Sequence, residues 1–180
     1  MKKNKLRVFD IKNSKINGGS TRYFIAHDNS KHNTKIKKIL KILKEEKKFQ
    51  LENKETFLRF FMKINLIKKK IMSLLNEIVK NKKTVHGYGA STKGNVLLQY
   101  FDIDSKYLSY IAERNPLKYN KFTPGTYIKI ISEKKSRQLK PNYYFVLPWH
   151  FKNEIIKREK KMRKLGTKFI FPLPKLEIIA

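Results

Sequence analysis

The sequence predicts an α/β protein: a Rossmann-like three-layer αβα domain with a mostly parallel sheet, preceded by a β-hairpin and a long helical connector. Three observations predict it. Residues 33–82 contain no Gly and no Pro and carry apolar residues at helical spacing. From Thr84 onward, short β-rich runs alternate with helical stretches, the order that right-handed crossovers and a parallel sheet require. A glycine-rich turn, "VHGYGASTKGN" (Val85 to Asn95), stands where the first of those strands meets the first helix.

The elements follow in order. "LRVFDI" (Leu6 to Ile11) alternates apolar and polar residues as a half-buried strand does, and "STRYFIAH" (Ser20 to His27) is rich in β-branched and aromatic residues. "NGG" (Asn17 to Gly19) between them is a turn signal, so the pair reads as a hairpin, marginal alone. Ile36, Ile39, Leu40 and Leu43 share one helix face. So do Phe57, Phe60, Phe61, Ile64, Ile67, Ile71, Leu74, Leu75 and Ile78, with "QLENKE" separating the two helices. The second stripe is wide and aromatic rather than a narrow heptad seam, which points to packing on the following domain.

Beyond Thr84, "TVHGYG" is a strand, "NVLLQYF" a helix start, "YLSYIAE" (Tyr107 to Glu113) a strand and "TYIKII" (Thr126 to Ile131) another, after the "TPG" turn. "SEKKSRQL" is one or two helical turns with Ser132 as N-cap. "NYYFVLPW" (Asn142 to Trp149) is a strand, "FKNEIIKREKKMRKLG" a helix closed by Gly166, "TKFIFPLP" a last central strand and "LEII" an edge strand. The boundaries are 1–30 for the hairpin, 31–82 for the connector and 83–180 for the α/β domain.

Composition narrows the function classes. With 40% hydrophobic residues in 180, the chain can bury a core. There is no cysteine, so disulfides, thiolate metal sites and a cysteine nucleophile are excluded. No apolar run approaches the ~20 residues of a membrane helix. The basic start lacks the apolar stretch of a secretory signal, so a cytoplasmic location is expected and no membrane partner. The net charge of +29 attracts polyanions at long range. Lysines are spread along the whole chain, and Lys, Asn and Ile are the residues of AT-rich codons, so nucleic acid is expected as a non-specific electrostatic partner.

The glycine turn carries the chemistry. Gly87 and Gly89 permit close backbone approach, the following helix offers unpaired N–H groups, and Ser91, Thr92 and Lys93 add donors and a charge. The spacing is neither the dinucleotide G-x-G-x-x-G nor a Walker loop, since Lys93 precedes Gly94. Glu113 ends the next strand, 26 residues after Gly87, where dinucleotide folds place the acid that takes a ribose hydroxyl. Pattern alone leaves a phosphate loop and an unliganded tight turn equally open.

Four collinear stretches, "HGYGASTKGNVLLQYF", "ERNPLKYNKFTPGTYIKI", "LPWHFKNEIIKRE" and "GTKFIFPLPKLEII", resemble the C-terminal domain of the S-adenosylmethionine-dependent sugar C-methyltransferases. "LRVFDIKNSKINGGSTRYFIAH" resembles the segment closing that family's central domain. The resemblance implies methyl transfer to a carbon of a nucleotide-linked 4-keto-deoxysugar, most often a dTDP-sugar: a base removes the proton beside the keto group and the enolate attacks the sulfonium methyl. It also implies a zinc domain and a central domain for S-adenosylmethionine that these 180 residues do not contain. The Tyr-x-Glu-His motif that carries the family's acid/base residues is missing, and Asn17 stands where His precedes Gly-Gly-Ser. The expectation is therefore a nucleotide-sugar-binding part with no catalytic residue, no metal and no cofactor of its own, and with a separate chain carrying the S-adenosylmethionine domain as possible partner. The ligand-facing positions carried over are Gly87, Tyr88, Gly89, Ala90, Ser91, Thr92, Lys93, Gly94, Asn95, Glu113, Arg114, Asn115, Thr123, Pro124, Gly125, Trp149 and His150.

Single residues have blander readings. His86 is an acid/base candidate that reads rather as a packed or capping residue, and Arg114 as a pyrophosphate or base contact, an ion pair with Glu113 or a solvated loop charge. Trp149 and His150 suit a crevice or a core equally. His27 and His32 lack a carboxylate set for a metal. The competing functions are a non-enzymatic nucleic-acid binder and a dinucleotide oxidoreductase module.

Overall fold

Eight strands and six helices are distributed along residues 1–180, all of which the computed structural model describes. They fall into two units, Met1–Met62 and Lys63–Ala180, the division lying inside the 31–82 connector.

In the first unit β1 (Leu6–Ser14) and β2 (Ser20–His27) pair antiparallel, Leu6 opposite His27 and Ser14 opposite Ser20. β1 runs three residues beyond the predicted Ile11. Asn17, Gly18 and Gly19 all take positive φ in the reversal, a path only such residues follow at low cost. The register shifts between Val8 and Asp10. Asp10 is buried and accepts hydrogen bonds from Lys35 and Lys38 at 2.9 and 2.6 Å, which hold its carboxyl well below the usual carboxylate range. These bonds and the Lys35 amide on the Phe9 carbonyl seat α1 (Ile36–Lys48) against β1. Arg7 ties down the segment between hairpin and helix through Thr34, Ser30 and the His32 carbonyl, while the His32 ring stacks on Phe9. The apolar residues Ile36, Leu40 and Leu43 of α1 stay exposed, as do Phe57, Phe60, Phe61 and Met62 at the start of α2 (Lys54–Lys80).

The second unit is a six-stranded sheet in the order β5-β4-β3-β6-β7-β8, where β3 is Val85–Tyr88, β4 Tyr110–Glu113, β5 Ile130–Ser132, β6 Tyr143–Val146, β7 Lys168–Phe171 and β8 Glu177–Ile179. Every neighbouring pair is parallel except β7 with the edge strand β8. Ile67, Ile71, Leu75 and Ile78 of α2, with Leu97, Leu98 and Phe101 of α3 (Thr92–Phe101), cover one face and meet Val85, Ile111 and Phe145. On the other face Tyr88, Tyr144 and Phe169 pack against Ile155 of α5 (Lys152–Arg158) and Met162 of α6 (Lys160–Lys164). α4 (Glu133–Gln138) lies on that side, its buried Ser136 bonded to Tyr144. The αβα architecture and the preceding hairpin are those the sequence predicts. No helix is long and apolar enough to cross a membrane.

The six strands of this sheet are shorter than predicted: β3, β7 and β8 lose residues at their ends, and β4, β5 and β6 are cut by local turns. Of Thr126 to Ile131 only the last two residues join β5, because Thr123 to Ile128 close into a turn. There the buried Thr123 and Thr126 hydroxyls bond at 2.7 Å and the Ile128 amide donates to Thr123. β4 begins at Tyr110, not Tyr107, since the amides of Tyr107 and Leu108 turn back to Asp104. β6 stops at Val146, and Trp149–Phe151 is a 3₁₀ turn. The last helix is two, broken at Glu159 (φ −94, ψ 23), whose buried side chain is committed to Tyr88 and Arg137.

Candidate functional site

The strand order reverses between β3 and β6, so the loops leaving their carboxyl ends diverge and leave a crevice, the place where open α/β sheets take ligands. A cleft of about 430 Å³ lies there, bounded by the ends of β3, β4 and β6, by Glu133 after β5 and by α5.

Local sequence shapes its walls. Gly89 has φ +82, and a Cβ on it would lie 2.8 Å from the Pro148 ring. A Cβ on Gly94 would lie 2.5 Å from Leu147 Cβ, so α3 packs backbone-close on the exit of β6. Ser91 caps α3 by accepting from the Gly94 amide at 3.0 Å. Gly87 is inside the sheet, with its α-carbon facing Ile111.

The amides of the glycine turn point inward. Gly89 donates to the Ala112 carbonyl at 2.7 Å, Ser91 to the Gly89 carbonyl at 2.9 Å, and Ala90 to Glu113 Oε2 at 2.7 Å. Glu113 Oε1 accepts from the amides of Arg114 and Asn115 at 2.8 and 2.9 Å. Lys118 Nζ donates to the Ala90 carbonyl at 2.7 Å and lies 3.7 Å from Glu113. An internal carboxylate thus fills the place in the turn where an anion would meet the amides. The link between Glu113 and Arg114 runs through the Arg114 amide; its guanidinium is exposed at the cleft wall.

Among the positions singled out in sequence, Tyr88, Gly89, Ala90, Ser91, Glu113 and Arg114 line this cleft together. The others do not. Asn115 caps the 116–118 turn through the Leu117 amide. Thr123 is buried in its own turn, while Pro124 and Gly125 pack on Gln99 near the far end of α3. Thr92 and Lys93 are exposed in the first turn of α3, and Asn95 buries an Oδ1 without a hydrogen-bond partner. Trp149 bridges the cores of both sheet faces; its neighbour His150 lies against Phe151 and is lowered in pKa by burial and by the Lys93 charge. Phe151, unlike either, reaches the cleft.

The cleft floor is a polar network that sequence reasoning missed. The Tyr88 hydroxyl donates to Glu159 Oε1 at 2.7 Å and accepts from Arg158 Nη2 at 2.6 Å. Arg158 Nη2 also reaches Glu133 Oε1 at 3.0 Å. Beneath, Arg137 donates to both oxygens of Glu159 and to Glu133. Burial alone would raise the Glu159 pKa, but the Arg137 and Tyr88 hydrogen bonds outweigh it and leave the acid lowered and ionised. Burial, with the Glu159 hydrogen bond, pushes the Tyr88 phenol far up, so it stays protonated. One signal was available: the chain has only seven arginines among its 43 Lys and Arg, and Arg114, Arg137 and Arg158 gather here.

His86 does not reach the cleft. It is buried, with Nδ1 2.8 Å from Ser136 Oγ, which lies 3.0 Å from the Tyr144 hydroxyl. Burial lowers its pKa to about 4, so the ring is neutral at pH 7.

Comparison with known proteins follows the same segment. The family described as C-methyltransferase C-terminal domain matches residues 15–174. C-methyltransferase NovU of Streptomyces niveus is 31% identical over 175 residues, which take in 97% of this chain and 41% of that protein. The chain therefore spans about two fifths of the length of that curated relative.

Proposed function

The chain belongs to the C-methyltransferase C-terminal domain family, and from that premise we propose that it is the nucleotide-sugar-binding portion of an S-adenosylmethionine-dependent sugar C-methyltransferase. The observation that carries the reading is the cleft at the strand-order reversal. Its wall offers Arg114, Lys118 and Arg158 to an anion, the exposed Phe151 ring to a flat base, and Glu154, whose carboxylate makes no hydrogen bond or ion pair, to hydroxyl groups. This combination suits a nucleoside diphosphate sugar, dTDP-linked in the first instance.

The share of this chain in the reaction is to bind and orient. Holding the remote nucleotide fixes where the sugar projects, and that positioning converts an encounter into a near-attack arrangement. We assign the methyl donor elsewhere, because the acid that would grip its ribose is already engaged. Both oxygens of Glu113, the acid from which a ribose would be gripped, are held by three backbone amides. The same engagement counts against a dinucleotide oxidoreductase. S-adenosylmethionine is then held by polypeptide outside these 180 residues, for which a separate chain is one source.

Thermal unfolding with dTDP at millimolar concentration tests the reading. A ligand at about 100 times its Kd adds about 2.7 kcal/mol, which raises Tm by several degrees in a domain of this size. Absence of any shift with dTDP and with a dTDP-sugar rejects it.

A further inference from the structure

The glycine turn is where sequence reasoning places a phosphate, yet its amides at 89, 90 and 91 already have acceptors within the protein. We propose that the Arg158 guanidinium, rather than the glycine-turn backbone, is the anchor for the ligand's diphosphate. This rests on the nucleotide-sugar reading of the cleft and assigns the phosphate subsite within it.

Arg158 is the cleft guanidinium that is held in place before any ligand arrives. Its Nε and Nη2 donate to the Tyr88 hydroxyl at 3.2 and 2.6 Å, and Nη2 also to Glu133. The guanidinium carbon lies 5.5 Å from the Tyr88 ring centroid. Tyr88 can accept from Arg158 because its own proton goes to Glu159, and Glu159 is fixed in turn by Arg137. The chain of bonds sets the plane of the fork and uses Nε and Nη2, while Nη1 takes part in none of it. With 30% of its side chain exposed and a place on the cleft wall, Arg158 is accessible to a ligand. The two other cations are less suited: Lys118 is held too, by the Ala90 carbonyl, but is a point charge with no plane to set, and the Arg114 guanidinium makes no hydrogen bond.

Composition points the same way. In a chain whose positive charge is overwhelmingly lysine, a point charge is available anywhere. Arginine is distinct where five donors in one plane let a cation hold protein partners through Nε and Nη2 and still offer Nη1 to an oxyanion.

Isothermal titration of the 180-residue chain with dTDP and with inorganic pyrophosphate, on wild type and R158K, tests the anchor. R158K keeps the net charge of +29, so the long-range field is unchanged and only the fork is lost. The expected result is a loss of about tenfold in affinity for both probes, with Tm within a few degrees of wild type. Should R158K unfold, the double variant R158M/E133Q removes both charges of the pair and is read the same way. Unchanged dTDP affinity in a folded variant overturns the anchor and leaves the nucleotide-sugar reading standing. Pyrophosphate binding that depends on Arg158, with no added affinity for dTDP, keeps the anchor and rejects the nucleotide. Binding of neither probe to wild type overturns both.

Discussion

His86 shows what one buried side chain implies for the whole stability curve. Its folded pKa of about 4 lies below the 6.5 of the free ring. The unfolded chain therefore binds a proton between those values that the folded chain refuses, and stability falls as pH drops from about 6.5 to about 4. The loss reaches about 3 kcal/mol for this shift. His150, also lowered, adds the same sign. Glu159, lowered in the fold, contributes stability above its unfolded pKa near 4.5 that is lost only on further acidification, so the two groups separate on the pH axis. Urea midpoints measured from pH 7 to 4 should decline for wild type and be flatter for His86→Phe. An equal decline in both would show the slope lies elsewhere. At this scale the sequence was partly legible. A histidine within a strand reads as packed, and it is. Glu113 was placed correctly at the end of its strand, but its partners are amides at 90, 114 and 115, and no side-chain pattern encodes a backbone amide's direction.

Among the elements, α3 makes the sharpest prediction. A glycine inside a helix ordinarily gains about 1 kcal/mol on replacement by alanine. Gly94 should do the reverse. Its new Cβ would meet Leu147 Cβ at 2.5 Å and Ser91 Oγ at 2.9 Å, atoms that no rotamer change carries far, since one is a β-carbon and the other the cap of the helix. Overpacking of this kind costs about 1–3 kcal/mol, so Gly94→Ala should lower Tm; an unchanged or raised Tm would mean that α3 can slide off β6. Helices were well legible because periodicity over 13 or 27 residues is a strong signal. Strand ends were not. The Thr123–Ile128 turn rests on two buried hydroxyls meeting each other, and a run rich in Thr, Tyr and Ile reads as β until that contact is known.

For the whole molecule, two features pull in opposite directions with salt. Apolar residues of α1 and of the start of α2 stay exposed, including Leu40, Phe57, Phe60 and Phe61, a surface that favours association with another chain or another copy. The charge of +29 opposes self-association by repulsion. Screening should therefore raise self-association between 50 and 500 mM salt, while non-specific binding to duplex DNA, driven by counterion release, should fall steeply over ~50–200 mM. Sedimentation equilibrium and a DNA titration over one salt series read both. A monomer at every salt concentration would contradict the first expectation, and salt-resistant, sequence-dependent DNA binding would restore the nucleic-acid reading.

The α/β class, the hairpin, the two helices and the family were legible in the order of residues, because periodicity, glycine placement and collinear motifs are local properties that survive without coordinates. Where the crevice lies and which side chains it receives came from the packing of the sheet. That packing turned the Ala90 amide onto Glu113 and the Gly89 amide onto the Ala112 carbonyl, withdrew Thr123 to Gly125 toward Gln99, and brought Tyr88, Arg137, Arg158 and Glu159 together from positions as much as 71 residues apart. Such contacts depend on strand order and on which sheet face each residue occupies, and both arise from the packing of distant elements.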